Sequence, residues 1–227
     1  MTTIDCIIPV YEHTQRYVKY CVESINRNSF LSKNTIIVNS RAHNFNFSQA
    51  INYGIQQSRA DYIIIMNDDL VVGKDWDKAL LEIASKGYIV NPLSNCDYGW
   101  RHNYKIIVDG AWLGPGNLSL GAISTEHLMN CCFTTDRQYE VDWVPFFCTM
   151  ISRDIYNKVG PLNEKFVNGC EDVEWCQRAK KLGYKMAITE KSWVFHYGAV
   201  SRKLAESEDY NKYHKEDIEN HKLLEGK

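Results

Sequence analysis

Short apolar runs alternate with amphipathic stretches through the first half of the chain, the pattern of βαβ units around a parallel sheet. Ile4 to Val10 reads as a first strand, Gln15 to Asn28 as a helix and Thr35 to Val38 as a second strand. Ser48 to Ser58 predicts the next helix. Asp61 to Met66 (DYIIIM) predicts a third strand, apolar on both faces as a central parallel strand must be, and it stops abruptly at Asn67-Asp68-Asp69. Asp75 to Lys86 predicts another helix.

From Gly87 to about Gly121 the pattern becomes irregular and contains the turn-rich string Gly114-Pro115-Gly116-Asn117, which reads as loops or a hairpin over the sheet edge. Regularity returns with a long apolar strand from Val141 to Ser152, a short helix to Val159 and the stop Gly160-Pro161. A helix opens at Glu171-Asp172, and Tyr184 to Thr189 and Ser192 to Tyr197 are the last two strands expected. From Lys203 on, five lysines stand against seven acids, the composition of a solvated helix or a frayed tail. With no internal repeat and no linker, one α/β domain with a mostly parallel, Rossmann-like central sheet and a charged C-terminal appendage is the economical reading.

At 227 residues, 44% hydrophobic and 24% charged, the chain can bury a real core. Its formal charge of −2 gives no basic excess of the kind nucleic acid demands. The eight cysteines (Cys6, Cys21, Cys96, Cys131, Cys132, Cys148, Cys170 and Cys176) lack the CxxC spacing of zinc and redox sites and read as buried free thiols. The start, MTTIDCIIPV, has no basic leader, and no run approaches the ~20 apolar residues of a membrane span. The expectation is a cytoplasmic protein, with peripheral attachment to a membrane left open.

Ligands of open α/β sheets bind beyond the carboxyl ends of the strands, so residues just after strands are the first candidates for chemistry. Asn67-Asp68-Asp69 places two acids there; a divalent metal holding a diphosphate would neutralise their repulsion, although the same residues also suit a turn leading into Lys74. Glu171 and Asp172 open a helix, whose dipole favours acids in its first turn with or without a catalytic role. A carboxylate kept charged in a cleft is what deprotonation of an attacking hydroxyl requires. His196 ends an apolar strand, where a histidine can simply be core; joined to Asp69 it would make a mixed oxygen and nitrogen site that Mn²⁺ accepts more readily than Mg²⁺.

In order and spacing these segments resemble the family 2 glycosyltransferases of the A-type fold, from Ile4 to about Arg202. CIIPVYEHTQRYVKYCVESI is similar to the family's opening strand, loop and helix, and NFNFSQAINYGIQQSRADYIIIMNDDLVV to its helix, strand and Asp-x-Asp element. VPFFCTMISRDIYNKVGPLNEKFVNGCEDVEWCQRAKKLGYK is similar to its acceptor-side strand and Glu-Asp helix, and FHYGAVS to its terminal metal-histidine segment. Each motif is weak alone; four in one order form a strong signal.

The resemblance implies an inverting, metal-dependent transfer of a sugar from a nucleoside-diphosphate sugar, with uridine as the expected nucleoside, to a glycan or other acceptor hydroxyl. Residues 1–100 would form the donor half, 101–202 the acceptor half with the general base, and 203–227 the charged tail. Asp69 and His196 would bind Mn²⁺ or Mg²⁺, Asp172 would be the base, and Glu171 would position donor or acceptor hydroxyls. Pro9, Val10, Tyr11, Glu12, Asn39, Asn52, Asn67 and Asp68 would line the donor.

Four departures bear on that reading. Asn39 stands in place of the acid that accepts a hydrogen bond from uracil, which leaves thymidine or another base open. Asn46 stands for a glycine, a replacement that a left-handed backbone tolerates. Asn67 replaces the first acid of Asp-x-Asp, shifting metal binding toward Asp69 and His196. Phe146, Phe147 and Cys148 take the place of smaller residues and leave the acceptor open, as do Trp100, Trp112 and Trp143 at its expected border. Arg101 and His102, or the loop Gly114 to Asn117, are candidates for a lid. A nucleotidyltransferase is the competing enzyme, but Tyr11-Glu12-His13 is not a glycine-rich phosphate loop. A silent nucleotide- or carbohydrate-binding module has no need of Asp69, Asp172 and His196 together.

Overall fold

Asp61 to Met66 begins the sheet that organises everything else. In the computed structural model, which describes residues 2–11, 15–95, 107–108, 111–112, 135–167, 169–198 and 210–226, Tyr62–Met66 is a strand with side chains buried alternately on two faces. Ile63 and Ile65 pack into one core, Ile64 and Met66 into the other. That is how an uninterrupted apolar run serves a sheet covered on both sides.

The described elements are β1 Ile4–Val10, α1 Gln15–Asn28, β2 Asn34–Asn39, α2 Ser40–His43, α3 Phe47–Gln57, β3 Tyr62–Met66, β4 Leu70–Val72, α4 Trp76–Ala84 and β5 Tyr88–Ser94. There follow β6 Ile107–Val108, β7 Ala111–Trp112, β8 Gln138–Val141, β9 Cys148–Ser152, α5 Arg153–Val159, α6 Glu171–Lys181, β10 Lys185–His196 and α7 Tyr210–Leu224. The main sheet runs β2-β1-β3-β9-β5-β10-β4, with β8 also paired to β10. β2, β1, β3, β5 and β10 point one way; β9 is inserted antiparallel between β3 and β5, and β4 and β8 run antiparallel to β10. Residues of α1 and α4 (Cys21, Ile25, Leu80, Ile83) fill one face, and residues of α3, α5 and α6 (Ile51, Ile55, Ile155, Trp175) fill the other. No helix among the described residues is long and apolar enough to cross a membrane.

Three expectations are corrected. Tyr88–Ser94, read as irregular, is a central strand, buried from Ile89 to Ser94. Its Asn91 and Pro92 look like breakers, but the ladder to β9 is a single pair, Val90 with Met150, and beyond it Asn91 Nδ2 donates to the Pro145 carbonyl at 2.6 Å. The long strand from Val141 to Ser152 is two strands, β8 and β9, because Pro145 interrupts the run; the buried Val144, Phe146 and Phe147 belong to the connection. Conversely, the two strands expected from Tyr184 to Tyr197 are one, β10, with a register shift between Thr189 and Trp193. Ile107 and Val108 pair with Trp112 and Ala111 in a small hairpin; Trp100, Arg101, His102 and Gly114 to Asn117 lie outside the described residues.

α3 lies against β1 so closely that a Cβ on Gly54 would meet Ile7 Cγ2 at 2.4 Å. Gly54→Ala should therefore lose about 1–2 kcal/mol in urea unfolding despite the better helix propensity of alanine. An unchanged midpoint would mean that α3 can slide on the sheet.

Candidate functional site

The carboxyl ends of β1, β2, β3 and β10 meet the amino ends of β4 and β9 at one edge of the sheet. The ladder shows the convergence directly, since Met66 pairs with Cys148 and His196 with Leu70. The residues that leave β3 and β10 are thereby brought together across 129 positions of sequence, with Asn67 Nδ2 at 3.4 Å from His196 Nε2. Asp69 Oδ1 lies 3.0 Å from the same nitrogen. Both partners are buried, Asp69 at 4% exposure and His196 at 2%.

The histidine is fixed on every side. Phe147 stacks on its ring at 5.4 Å, and Asn95, at the end of β5, brackets its backbone: His196 N donates to Asn95 Oδ1 at 2.7 Å and Asn95 Nδ2 donates to His196 O at 3.1 Å. The Tyr197 amide donates to the Asp69 carbonyl at 3.0 Å. Sequence reasoning missed Asn95; its signal was an amide at the end of an apolar run.

Two neighbouring ligands on an octahedral ion with bonds of about 2.1 Å lie about 3.0 Å apart, so the Asp69 and His196 pair fits a divalent cation as adjacent ligands. Half a turn of the Asn67 amide presents its oxygen to the same point. Among the described residues no three His, Cys, Asp or Glu side chains are close enough to hold an ion by themselves. Further ligands would come from a diphosphate or water, as in sites that bind metal together with substrate.

The second half of the site is the start of α6. Cys170 precedes it in the left-handed region (φ 66°, ψ −5°) and makes no side-chain cap bond. The turn brings Glu171 and Asp172 against the connection between β8 and β9. Asp172 Oδ1 accepts from Val173 N at 2.7 Å, and its carboxylate also accepts from the Phe146 amide. Burial nevertheless pushes Asp172 up to about 6, against the lowering by those amides. Glu171 is pushed up to about 7, by burial first and the charge of Asp172 second, with its own amide and that of Gly169 opposing. Its Oε2 is buried and accepts no hydrogen bond from any described residue.

Tyr11 links the two halves. Burial raises its phenol to about 12, and the charges of Glu171 and Asp68 add to the effect. Asp68 itself is 5% exposed. Pro9 and Val10 are buried within β1, and Tyr11, the residue that follows the strand, is half-buried. Glu12 lies outside the described residues.

Three asparagines have structural partners of their own. Asn39 is exposed, and its Oδ1 accepts from Ala42 N at 3.0 Å to cap α2. Asn46 is extended (φ −75°, ψ 177°), not left-handed; it stands in place of a glycine because it caps α3 in a capping box with Gln49. Asn52 is buried and committed: its Nδ2 donates to Leu162 O and Glu164 Oε1, both at 2.9 Å, while its Oδ1 accepts from Tyr156 Oη at 3.1 Å and Leu162 N at 2.9 Å. It braces the chain behind α6 and has no bonding position left for a donor. Among the thiols, Cys6, Cys21, Cys148 and Cys176 are buried as expected, whereas Cys170 is half-buried; Cys96, Cys131 and Cys132 lie outside the described residues.

Comparison with known proteins adds an independent line. The model of the family described as glycosyl transferase family 2 matches residues 31–160. The uncharacterized protein y4gI of Sinorhizobium fredii is 28% identical over 166 residues, which are 71% of this chain and 18% of that protein. Among solved structures, GalNAc-T7 with UDP, GalNAc and Mn²⁺ aligns with a TM-score of 0.63 at 15% identity, over 86% of this chain and 44% of that one. The catalytic domain of Drosophila beta1,4galactosyltransferase 7 in complex with xylobiose aligns with a TM-score of 0.50 at 14% identity, over 83% of this chain and 65% of that one. The chain thus spans less than two thirds of each of these proteins, and the structural likeness establishes the A-type fold.

Proposed function

The chain belongs to glycosyl transferase family 2, and on that premise we propose that its site transfers a sugar from a nucleoside-diphosphate sugar to an acceptor hydroxyl with inversion, using a divalent cation. The observation that supports this most is the convergence, at one sheet edge, of an Asp69 and His196 pair at cation-ligand spacing with two carboxyls of raised proton affinity, Glu171 and Asp172. A fold neighbour solved with UDP and Mn²⁺ supports the same ligand class, with uridine as the expected nucleoside.

In this reading Asp69 and His196 hold the cation, with Asn67 beside them, and Asp68 faces the donor's ribose or sugar. When bound, the cation neutralises the diphosphate as negative charge gathers on it. Asp172 accepts the proton of the acceptor hydroxyl while that oxygen forms a bond to the anomeric carbon. The bond from that carbon to the diphosphate oxygen breaks, and the nucleoside diphosphate leaves with the electron pair. One displacement assisted by one base inverts the anomeric centre. Glu171, its Oε2 without a partner, is available to a hydroxyl of donor or acceptor. Tyr11 closes the nucleotide side.

Calorimetric titration of UDP, TDP, GDP and CDP, each with and without Mn²⁺, tests the donor site. One nucleotide should bind only with the cation, and His196→Ala should weaken that binding by at least about tenfold, as loss of a ligand does. Cation-independent binding that His196→Ala leaves unchanged would remove the Asp69 and His196 pair from the site. No binding of any nucleotide would favour a silent scaffold.

A further inference from the structure

The described residues between α5 and α6 form no regular structure, and this segment delivers Glu171 and Asp172. Three asparagine side chains grip its backbone. Asn52 holds Leu162 from α3. Asn46, the cap of α3, donates through Nδ2 to Glu164 O at 2.9 Å and Phe166 O at 3.2 Å. The third comes from the far end of the chain: Val167 N donates to Asn220 Oδ1 at 3.1 Å, and Asn220 Nδ2 donates to Val167 O at 3.0 Å.

Asn220 is 4% exposed in a helix whose other residues are mostly half-buried or exposed. With one donor and one acceptor it pairs with the Val167 peptide as a neighbouring strand would, which few side chains can do. The same amide lies 3.3 Å from where a side chain on Gly169 would begin, so it also bounds the turn just before the helix. Asp217, three residues earlier on the same helix, sits near enough to Cys170 for its charge to act on the thiol. At that end Cys170 is left-handed and contributes no side-chain cap bond, while the Gly169 amide donates to the Glu171 carboxylate.

We propose that Asn220 is a positioning residue of the active site: α7 clamps the Val167 peptide and so fixes the turn that places Glu171 and Asp172. The inference rests on the reading of those two carboxyls as the reactive pair. Positioning errors of the order of 1 Å cost about 10²-fold in rate, so releasing this clamp acts on the chemical step more than on donor binding, which lies on the β1, β3 and β10 side.

Asn220→Ala removes both bonds, and Ile218→Ala, at an exposed position of the same helix, serves as control. Hydrogen exchange over residues 165–173 should quicken at least about tenfold in Asn220→Ala and stay unchanged in Ile218→Ala. In transfer assays below the melting temperature, kcat should fall roughly 10- to 100-fold with the donor KM within about threefold, and the acid limb of the pH profile should move. A lower melting temperature with unchanged exchange and unchanged kcat would reduce α7 to packing and overturn the proposal. Faster exchange with unchanged kcat would equally overturn it, by separating the loop from the carboxyls. If the wild type transfers no sugar, the reading of the site fails on its own, and exchange still decides whether Asn220 holds the loop.

Discussion

Asp172→Asn is expected to lower kcat for sugar transfer by about 10³-fold while leaving the nucleotide Kd, with Mn²⁺ present, within about threefold. The asymmetry follows from where the residue sits. Asp172, in the first turn of α6, is held by amides of Val173 and Phe146, whereas the proposed cation ligands Asp69 and His196 lie beyond β3 and at the end of β10. An asparagine oxygen can accept from the same amides, so the turn keeps its shape and what is lost is the capacity to take a proton. Single-turnover transfer and nucleotide calorimetry on the same preparation separate the two effects. Activity within fivefold of wild type would show that another group takes the proton, with Glu171 the neighbour to examine next. Loss of nucleotide binding in a folded Asp172→Asn would instead place this carboxylate on the donor.

Much of that arrangement could be read from the chain, and the parts that could not share a physical cause. β3 was legible because a strand buried on both faces is continuously apolar, and nothing interrupts Ile63 to Met66. β5 was not, because Asn91 and Pro92 are breakers in local chemistry and become acceptable through a tertiary bond from Asn91 to Pro145. Pro145 had the opposite effect, hidden within an apolar run that it in fact divides. Residue types at the proposed site, Asp69, Glu171, Asp172 and His196 among them, stand out in the sequence, but local pattern alone left each beside an ordinary alternative, and the family resemblance joined them. Asparagine was the least legible residue type. Asn39, Asn46, Asn52, Asn95 and Asn220 each have donors and an acceptor that suit caps, braces and ligands equally, and what selects among these is the backbone that folding brings alongside. Asn220 lies in a run of charge where no local signal distinguishes it from its exposed neighbours. The proton affinities of Glu171 and Asp172 were illegible for a related reason: a helix N-terminus predicts acids that stay ionised, and burial reverses the sign.

That reversal has consequences for rate and stability that run in opposite directions with pH. Asp172 must be ionised to act, and burial raises it to about 6, so kcat/KM should fall about tenfold per pH unit below about 6 and level off above about 7. Stability moves the other way. Glu171 titrates near 7 when folded and at the ordinary glutamate value of 4.5 when unfolded, so between those values the folded chain holds the extra proton. Its contribution is undiminished below pH 4.5, is lost as pH rises toward 7, and is a full penalty beyond. A glutamine at this position carries no charge to desolvate. Glu171→Gln should therefore stabilise the fold above pH 7 by roughly 1–3 kcal/mol, a rise of several degrees in Tm for a chain of this size, and the gain should vanish as pH approaches 4.5. Transfer should weaken in the same variant, because the carboxylate that destabilises the fold is the one kept for a substrate hydroxyl. Thermal unfolding of both proteins at pH 5 and pH 8 decides the matter. Equal melting temperatures at pH 8, or a larger gain at pH 5, would show that Glu171 is already paired and ionised in the folded chain, and the carboxyl pair would then lose its claim to be poised for chemistry near neutral pH.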